Sequence, residues 1–302
     1  MKQYLRRASL FLLPLLVVIA LTELALRRIP NDYRYTHDLL TQRGDSIELL
    51  ILGNSHAYNG IDPQGFRSPA YNAANISQDH RRDLAIAEQC IGHLPQLRSI
   101  IIPVSYASIG ASIEHGREPW RVKNYVIHMD MPEQASRLDH RFELLNNRKP
   151  VLLAMLRDHL LHGLDNRSCG DLGGAFNRPK PGLDLLADAK KTADRHTCSD
   201  HERILGNLNH LEAIIALAAL HDARVHLFFP PMHPAYLKEV DDRQLRLARA
   251  IGRDLAHRHG HVSYHDLSHD PRFLEGDFSN SDHVSAAGNR KLTAILADTL
   301  GL

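Results

Sequence analysis

"LILGNSHAYNGIDP", residues 50–63, is an apolar run that stops at Gly53 and presents a serine between an asparagine and a histidine. Gly, Asn and Ser favour turns for conformational reasons alone, so a plain strand-to-loop turn satisfies this pattern. A second reading gives it chemistry. Open α/β sheets bind ligands at the carboxyl ends of parallel strands, and a hydroxyl placed there is positioned to attack. Ser55 is then a candidate nucleophile, with Asn54 and His56 as candidate substrate or oxyanion contacts.

Outward from this turn, short apolar runs alternate with amphipathic stretches. The run ending at Gly53 is the first strand, and "SPAYNAANIS" (68–77) holds the second. "DHRRDLAIAEQCIGHLPQL" (79–97) reads as a helix stopped by Pro95, and "LRSIIIPVS" (97–105) as a third strand. After a long break, Ile204, Leu208, Leu211, Ile215 and Ala218 mark one helical stripe, followed by a strand over Arg224–Phe229. A helix over about 240–259, the weaker strand "HVSYHDL" (261–267) and a helix in "SAAGNRKLTAILADTL" (285–300) complete the series. Strands that are apolar throughout and separated by helices predict a mostly parallel five-stranded sheet in a three-layer α/β/α arrangement. Residues 105–200 lose this rhythm and are expected to form an insertion or cap on the domain spanning 47–302.

The N-terminus differs from the rest. Residues 8–26 are apolar apart from Thr22 and Glu23, lie between basic flanks, and at 1.5 Å per residue reach about 28 Å, near the thickness of a bilayer core. A cleaved signal peptide is the competing reading, but no convincing small-x-small cleavage site follows, so residues 1–28 are expected to be an uncleaved signal anchor crossing the cytoplasmic membrane. Residues 29–46 then read as a stalk, and the remainder as an extracytoplasmic body. Lys plus Arg (36) nearly equals Asp plus Glu (35), and aromatic residues are few, which argues against nucleic-acid binding. Cys169 and Cys198 flank a Gly- and Pro-rich segment, and a bridge between them would tie down a loop in an oxidising compartment; Cys90 reads as a buried thiol.

A serine hydroxyl needs a base, because it is almost fully protonated at neutral pH. "SDHVSAAGNRKL" (281–292) offers His283 just before the last helix. In a parallel sheet all strand carboxyl ends share one edge, so this loop can meet Ser55 despite the sequence separation.

Together, "LILGNSHAYNGIDP" and "SDHVSAAGNRKL" resemble the SGNH/GDSL hydrolase superfamily. "YNAANISQ" (71–78) is similar to its second block, and "NLNHLEAIIALAALHDARVHLFFPPMHPAY" (207–236) is similar to a segment of its membrane-anchored members, which include the D-alanyl-lipoteichoic-acid transfer protein. The resemblance covers roughly 47–105 and 201–302. It implies a flavodoxin-like sheet order, Ser55 as nucleophile, His283 as base, and no cofactor or metal. It further implies a serine esterase or O-acyltransferase acting on acylated cell-envelope glycans, with a multi-span membrane acyltransferase as a candidate partner.

This chain departs from the family pattern twice. Three residues before His283 stands Asn280, a neutral amide where a carboxylate is expected, so Asn280, Asp282 and Asp277 are all candidate orienters and a Ser–His dyad is an alternative. No Gly-x-Asn-Asp block follows the third strand, where "PVSYASIG" stands. Oxyanion stabilisation then falls to the backbone N–H of Ser55 and to a group among Asn72, Asn75 and Ser77. His233, in "PPMHPAY", is a further candidate for the substrate cleft. "HRHGHVSYHD" (257–266) gathers His257, His259, His261 and His265, but lacks the carboxylate-histidine pattern of a catalytic metal site. The same departures make a catalytically impaired relative that binds glycan or a membrane partner the alternative function.

Overall fold

A computed structural model describes residues 2–146, 149–177 and 182–302; parts of the irregular segments noted above, 147–148 and 178–181, lie outside it. The chain divides into two compact units, residues 1–37 with 118–168, and residues 38–117 with 169–302.

The sheet lies in the second unit. Its strands are β1 (Leu49–Ile51), β2 (Ala70–Asn72), β3 (Ser99–Pro103), β4 (Arg224–Phe229) and β5 (Val262–Asp266). All pairs are parallel and the order is β2-β1-β3-β4-β5, with Leu50 level with Tyr71 and Ile100, and Leu227 level with Tyr264. Every residue of β1, β2 and β3 is buried, as a sheet covered on both faces requires. The order is the flavodoxin-like one expected. It reverses at β1, so the crevice between the carboxyl ends of β1 and β3 is the topological switch point.

Of the helices, α1 (Lys2–Arg28) and α2 (Asp32–Gln42) open the chain, and α3 (Ser55–Tyr58) and α4 (His80–Cys90) follow β1 and β2. Next come α5 (Val122–His128), α6 (Glu143–Asn146), α7 (Lys149–His162) and α8 (Leu185–His196), between β3 and the returning pattern. That pattern supplies α9 (His201–Leu220), α10 (Pro234–Glu239), α11 (Asp242–Arg258) and α12 (Ala286–Leu300). Helices α4, α9 and α11 lie in the connections that cross between parallel strands, and α12 follows the last strand. Helix α4 packs on α9, and α11 lies against β4 and β5. Asn289 and Thr293 of α12 hold the turn after α3, by Asn289 Nδ2 donating to Asn59 O (2.8 Å) and Thr293 Oγ1 accepting from Asp62 N (2.9 Å).

Residues 32–42, within the expected stalk, are helical, and Ile29, Tyr33 and Leu40 are buried. Of the irregular middle, 118–168 joins residues 1–37, whereas α8 belongs with the sheet and packs on α10.

In the first unit, α1 has one stretch, Leu10–Arg28, long and apolar enough to cross a membrane. Its distal end is built into the unit. The Glu23 carboxylate accepts the N–H groups of Glu143 and Leu144, each at 3.0 Å, and pairs with Arg27. Glu143 in turn holds Lys123 Nζ (2.6 Å) and His128 Nε2 (2.8 Å). Burial opposes its charge, but these two partners bring its pKa down to about 2.

Candidate active site

The turn after β1 is built around Gly53. Its φ of +120° is one that residues with a Cβ rarely adopt, and a Cβ there would meet Pro103 Cδ at 2.4 Å. The Asp83 carboxylate of α4 fixes the turn from below, accepting Gly53 N–H (2.8 Å), Gln78 Nε2 (2.7 Å) and His80 Nδ1 (3.0 Å). Asn54 caps α3: its side-chain oxygen accepts His56 N–H (3.0 Å), leaving Ser55 as the first helical residue. Sequence reading missed Asp83, since nothing in a helix-forming run marks one carboxylate as a turn anchor.

The second loop closes on this one. Phe278 bridges Val284, and Ser279 N–H donates to His283 O (2.9 Å), so residues 279–283 form a tight reversal before α12. Two groups brace it from outside. Asp188 of α8 accepts Ser281 Oγ (2.6 Å) and Ser281 N–H (3.1 Å). His233 N–H donates to Ser281 O (3.2 Å), while its Nδ1 caps α10.

The two loops bring three functional side chains into one line. His283 Nε2 lies 2.7 Å from Ser55 Oγ, and His283 Nδ1 lies 2.9 Å from Asp282 Oδ1. Asn280 Oδ1 is also 3.2 Å from Nδ1, but it already accepts His283 N–H (2.7 Å) and Asp282 N–H (3.2 Å), so its work is to shape the loop. Asp277 is elsewhere, paired with Lys291 and accepting Leu274 N–H (2.8 Å).

Asp282 is 1% exposed, and His56 lies behind it. His56 Nε2 is 3.5 Å from Asp282 Oδ2, too long for a good hydrogen bond, and both atoms are buried without one. Arg195 Nη2 stands 3.9 Å from the same oxygen. Burial alone would raise the Asp282 pKa, but His283 beside it, then His56 and His196, hold it well below the usual carboxylate range. Burial pushes His56 down, against the pull of Asp282. His196, whose Nδ1 meets Tyr236 Oη at 2.9 Å, is lowered by burial to about 3. His56 is thus a buried neighbour of the carboxylate, not an exposed substrate contact.

Candidate oxyanion groups separate cleanly. Asn72 Nδ2 is spent on Ala57 O (2.9 Å) and Ile61 O (3.0 Å), and its Oδ1 on Ala74 N–H (3.1 Å), which corrects its expected role. Asn75 N–H donates to Gly53 O (3.1 Å), setting residue 75 beside the nucleophile turn; its Oδ1 accepts Ile76 N–H (2.8 Å), and its Nδ2 donates to no described protein group. Ser77, at φ 61°, holds a strained left-handed conformation two residues on.

The expected Cys169–Cys198 bridge is not formed; each residue stands as a thiol. The two ends of the segment are tied to different places. Next to Cys169, the Gly170–Gly174 turn is held at the β2 edge, where Leu172 O accepts Asn72 N–H (2.9 Å). Cys198 N–H donates to Gln244 Oε1 (2.7 Å), and its side chain packs over Gly110. Of the C-terminal histidines, His259 and His261 stand edge to face (6.0 Å between ring centres), but each has its own partner. His259 pairs with Glu212 (3.1 Å), His261 with Ile215 O (3.1 Å) and His265 with Ser263 Oγ (3.2 Å). Among the described residues, the donors that converge, within 4.8 Å, are His56, Asp282 and His283.

A concavity of about 730 Å³ is lined by α8 with Arg117 and Glu239, and Arg195 is part of its wall. Arg117, Lys190, Lys191 and Arg195 outnumber Asp194 and Glu239 there.

Neither a family model nor a curated protein sequence matches the chain. Its fold is similar to that of a Streptococcus pneumoniae protein assigned as a platelet activating factor, at 13% identity and a TM-score of 0.45, covering 97% of this chain and 99% of that one. It is also similar to a Bacteroides fragilis protein assigned as an acylhydrolase, at 10% identity and 0.42, covering 89% and 93%. A catalytic mutant of an acetylxylan esterase from Geobacillus stearothermophilus is similar at 12% and 0.39, covering 84% and 94%. The chemistry is therefore read from the chain's own side chains.

Proposed function

We propose that this protein is a membrane-anchored, extracytoplasmic serine esterase or O-acyltransferase of the SGNH type, acting on acyl esters of cell-envelope glycans. The observation that carries the reading is the continuous relay Ser55 Oγ–His283 Nε2–Nδ1–Asp282 Oδ1, at 2.7 and 2.9 Å. A nucleophile, a base and an ionised carboxylate behind the base are the parts that acyl transfer needs, and both contacts are of hydrogen-bond length.

In this mechanism Ser55 Oγ attacks the ester carbonyl while its proton passes to His283 Nε2. Asp282 stabilises the imidazolium, staying ionised because its own pKa is held low. The ester C–O bond breaks, the leaving alcohol takes the proton from His283, and an acyl-Ser55 remains. Water, or a sugar hydroxyl in transfer, then gives its proton to His283 and attacks the acyl carbonyl; the bond from that carbon to Ser55 Oγ breaks, Oγ takes the proton back from His283, and a carboxylic acid or a new ester leaves. The tetrahedral oxyanion is served by Ser55 N–H, which donates to no described protein group, and by Asn75 Nδ2.

A fluorophosphonate probe tests the reading. Wild-type protein should be labelled on Ser55 and should hydrolyse a simple aryl acetate, and Ser55→Ala should do neither. Aryl acetate turnover undiminished in Ser55→Ala would remove the serine mechanism. Absence of both labelling and turnover in the wild type would favour a non-catalytic glycan- or partner-binding relative.

A further inference from the structure

We propose that the outer face of α7 lies in the lipid–water interface, beside the point where α1 leaves the bilayer. The proposal rests on the membrane-anchor reading of α1 and goes beyond it.

Helix α7 is apolar on two sides. On the inner side Leu152 joins Leu26 and Ile29 of the α1 end in a buried cluster, with Leu144, Met155 and Leu156 packed against it. On the outer side Leu153, Leu160 and Leu161 form a stripe at i, i+7 and i+8, exposed by 66, 70 and 70%, and Leu164, just past the helix, is exposed by 56%. Leu145 of α6 (57%) and Leu138 (68%) are apolar and uncovered as well. A body surrounded by water on all sides rarely leaves leucines open at this density. Arg157 falls within the stripe and is exposed, paired with Asp158 (2.7 Å), a charged group of the kind that meets headgroups at an interface.

What covers this face follows from where it sits along α1. Glu23 receives the N–H groups of Glu143 and Leu144, at the start of α6, and Arg27 Nη2 donates to Arg141 O (2.6 Å). Glu23 to Arg28 is the last stretch of the candidate span, a rise of only about 7 Å. Elements fastened to those residues therefore stand at headgroup depth whenever α1 crosses the bilayer. The exposed apolar surface of α1, from Leu10 to Leu24, leads up to α6 and α7. Lipid is the occupant in keeping with that position, with the apolar stripe and with an arginine inside it.

Depth-dependent quenching tests the claim on the full chain. Trp120 is the only tryptophan, so Trp120→Phe supplies a silent background. Into it are placed Leu160→Trp on the stripe, Leu153→Trp as a second reporter of the same stripe, and Leu16→Trp in the span. Each variant is reconstituted in phosphatidylcholine vesicles carrying bromines either high or low on the acyl chain. We expect the two α7 reporters to be quenched most by shallow bromines and Leu16→Trp by deep ones. Quenching at Leu16→Trp with neither α7 reporter quenched would overturn the interfacial face while leaving the anchor in place. Blue-shifted but unquenched α7 reporters would give the face to a second copy or another protein, and would overturn it equally. Loss of quenching at Leu16→Trp too would remove the anchor reading together with the inference built on it.

Discussion

At the scale of single residues, the site turns on which group orients His283. Asn280 stands at the position a family comparison would choose, yet its oxygen is engaged with two backbone N–H groups, and the carboxylate of Asp282 is closer to Nδ1. Asp282→Asn should therefore lower kcat by on the order of 10²–10⁴-fold, the upper bound being the loss seen when a full triad loses its carboxylate. Asn280→Asp should change the rate little, and steady-state kinetics on an aryl ester will show whether the ranking is reversed. Ser55→Ala and His283→Ala should each nearly abolish turnover, and their combination should be scarcely worse, because parts of one nucleophilic unit are non-additive. His56 is a positioning residue in this arrangement. It fills the space behind Asp282 Oδ2, so His56→Ala should lower kcat by up to about 10²-fold through misplacement of the carboxylate while KM stays near wild type. A rise in KM with kcat unchanged would make His56 a substrate contact instead.

At the scale of elements, the site is two loops clamped to a sheet edge. The β1–α3 turn is pinned by Asp83 below and Pro103 alongside, and the 279–283 loop by Asp188 and His233. Gly53→Ala forces a Cβ into Pro103 and into a φ of +120°, so it should destabilise the protein by more than about 1 kcal/mol. It should also reduce fluorophosphonate labelling of Ser55. An unchanged urea midpoint and unchanged labelling in that variant would mean that the turn relaxes without cost. The thiols lead to an expectation of the same kind. With Cys169 and Cys198 held at separate places, reductant should leave the unfolding midpoint where it is, and a drop under reductant would restore the bridge.

At the scale of the whole molecule, titration has one dominant sign. His56, His128, His196, His210, His226, His233 and His265 are all lowered, chiefly by burial, with His196 near 3 and His226 near 4. A histidine held neutral in the fold but free to charge once unfolded binds more protons unfolded, so stability rises with pH across that window. Below about pH 6.5, the unperturbed histidine value, each such group favours the unfolded chain, and the effect grows until its folded pKa is reached. Glu143, brought to about 2, adds the same slope below the ordinary glutamate value, since its folded form stays charged while the unfolded one protonates. The urea midpoint of the detergent-solubilised chain should therefore fall steadily from pH 7 to pH 5. A flat profile there would mean that these imidazoles are not held neutral.

Much of this architecture is local and so is written in the chain. The apolar runs at 49–52, 99–103 and 224–229 are strands because a covered parallel sheet tolerates no polar face, and Gly53 ends the first because the turn needs a φ that only glycine adopts readily. The serine, the histidine and their order along the chain follow from the same short-range pattern, and the rule that parallel strands share one carboxyl edge brings them together. Other features depended on which distant groups meet. Asp282 outranks Asn280 because the fold of its loop, held by Asp188 from an unpatterned stretch, sets the carboxylate against Nδ1. His56 turns inward to that carboxylate, Asn72 is consumed by two backbone carbonyls, and Cys169 and Cys198 are carried to different anchors. Residues 118–168 leave the sheet-bearing unit for the end of α1 because Glu23 and Leu26 offer a cap and an apolar seat. Local sequence specifies backbone states and burial; the choice of partner for a buried polar group is made by long-range packing, and only the tertiary structure decides it.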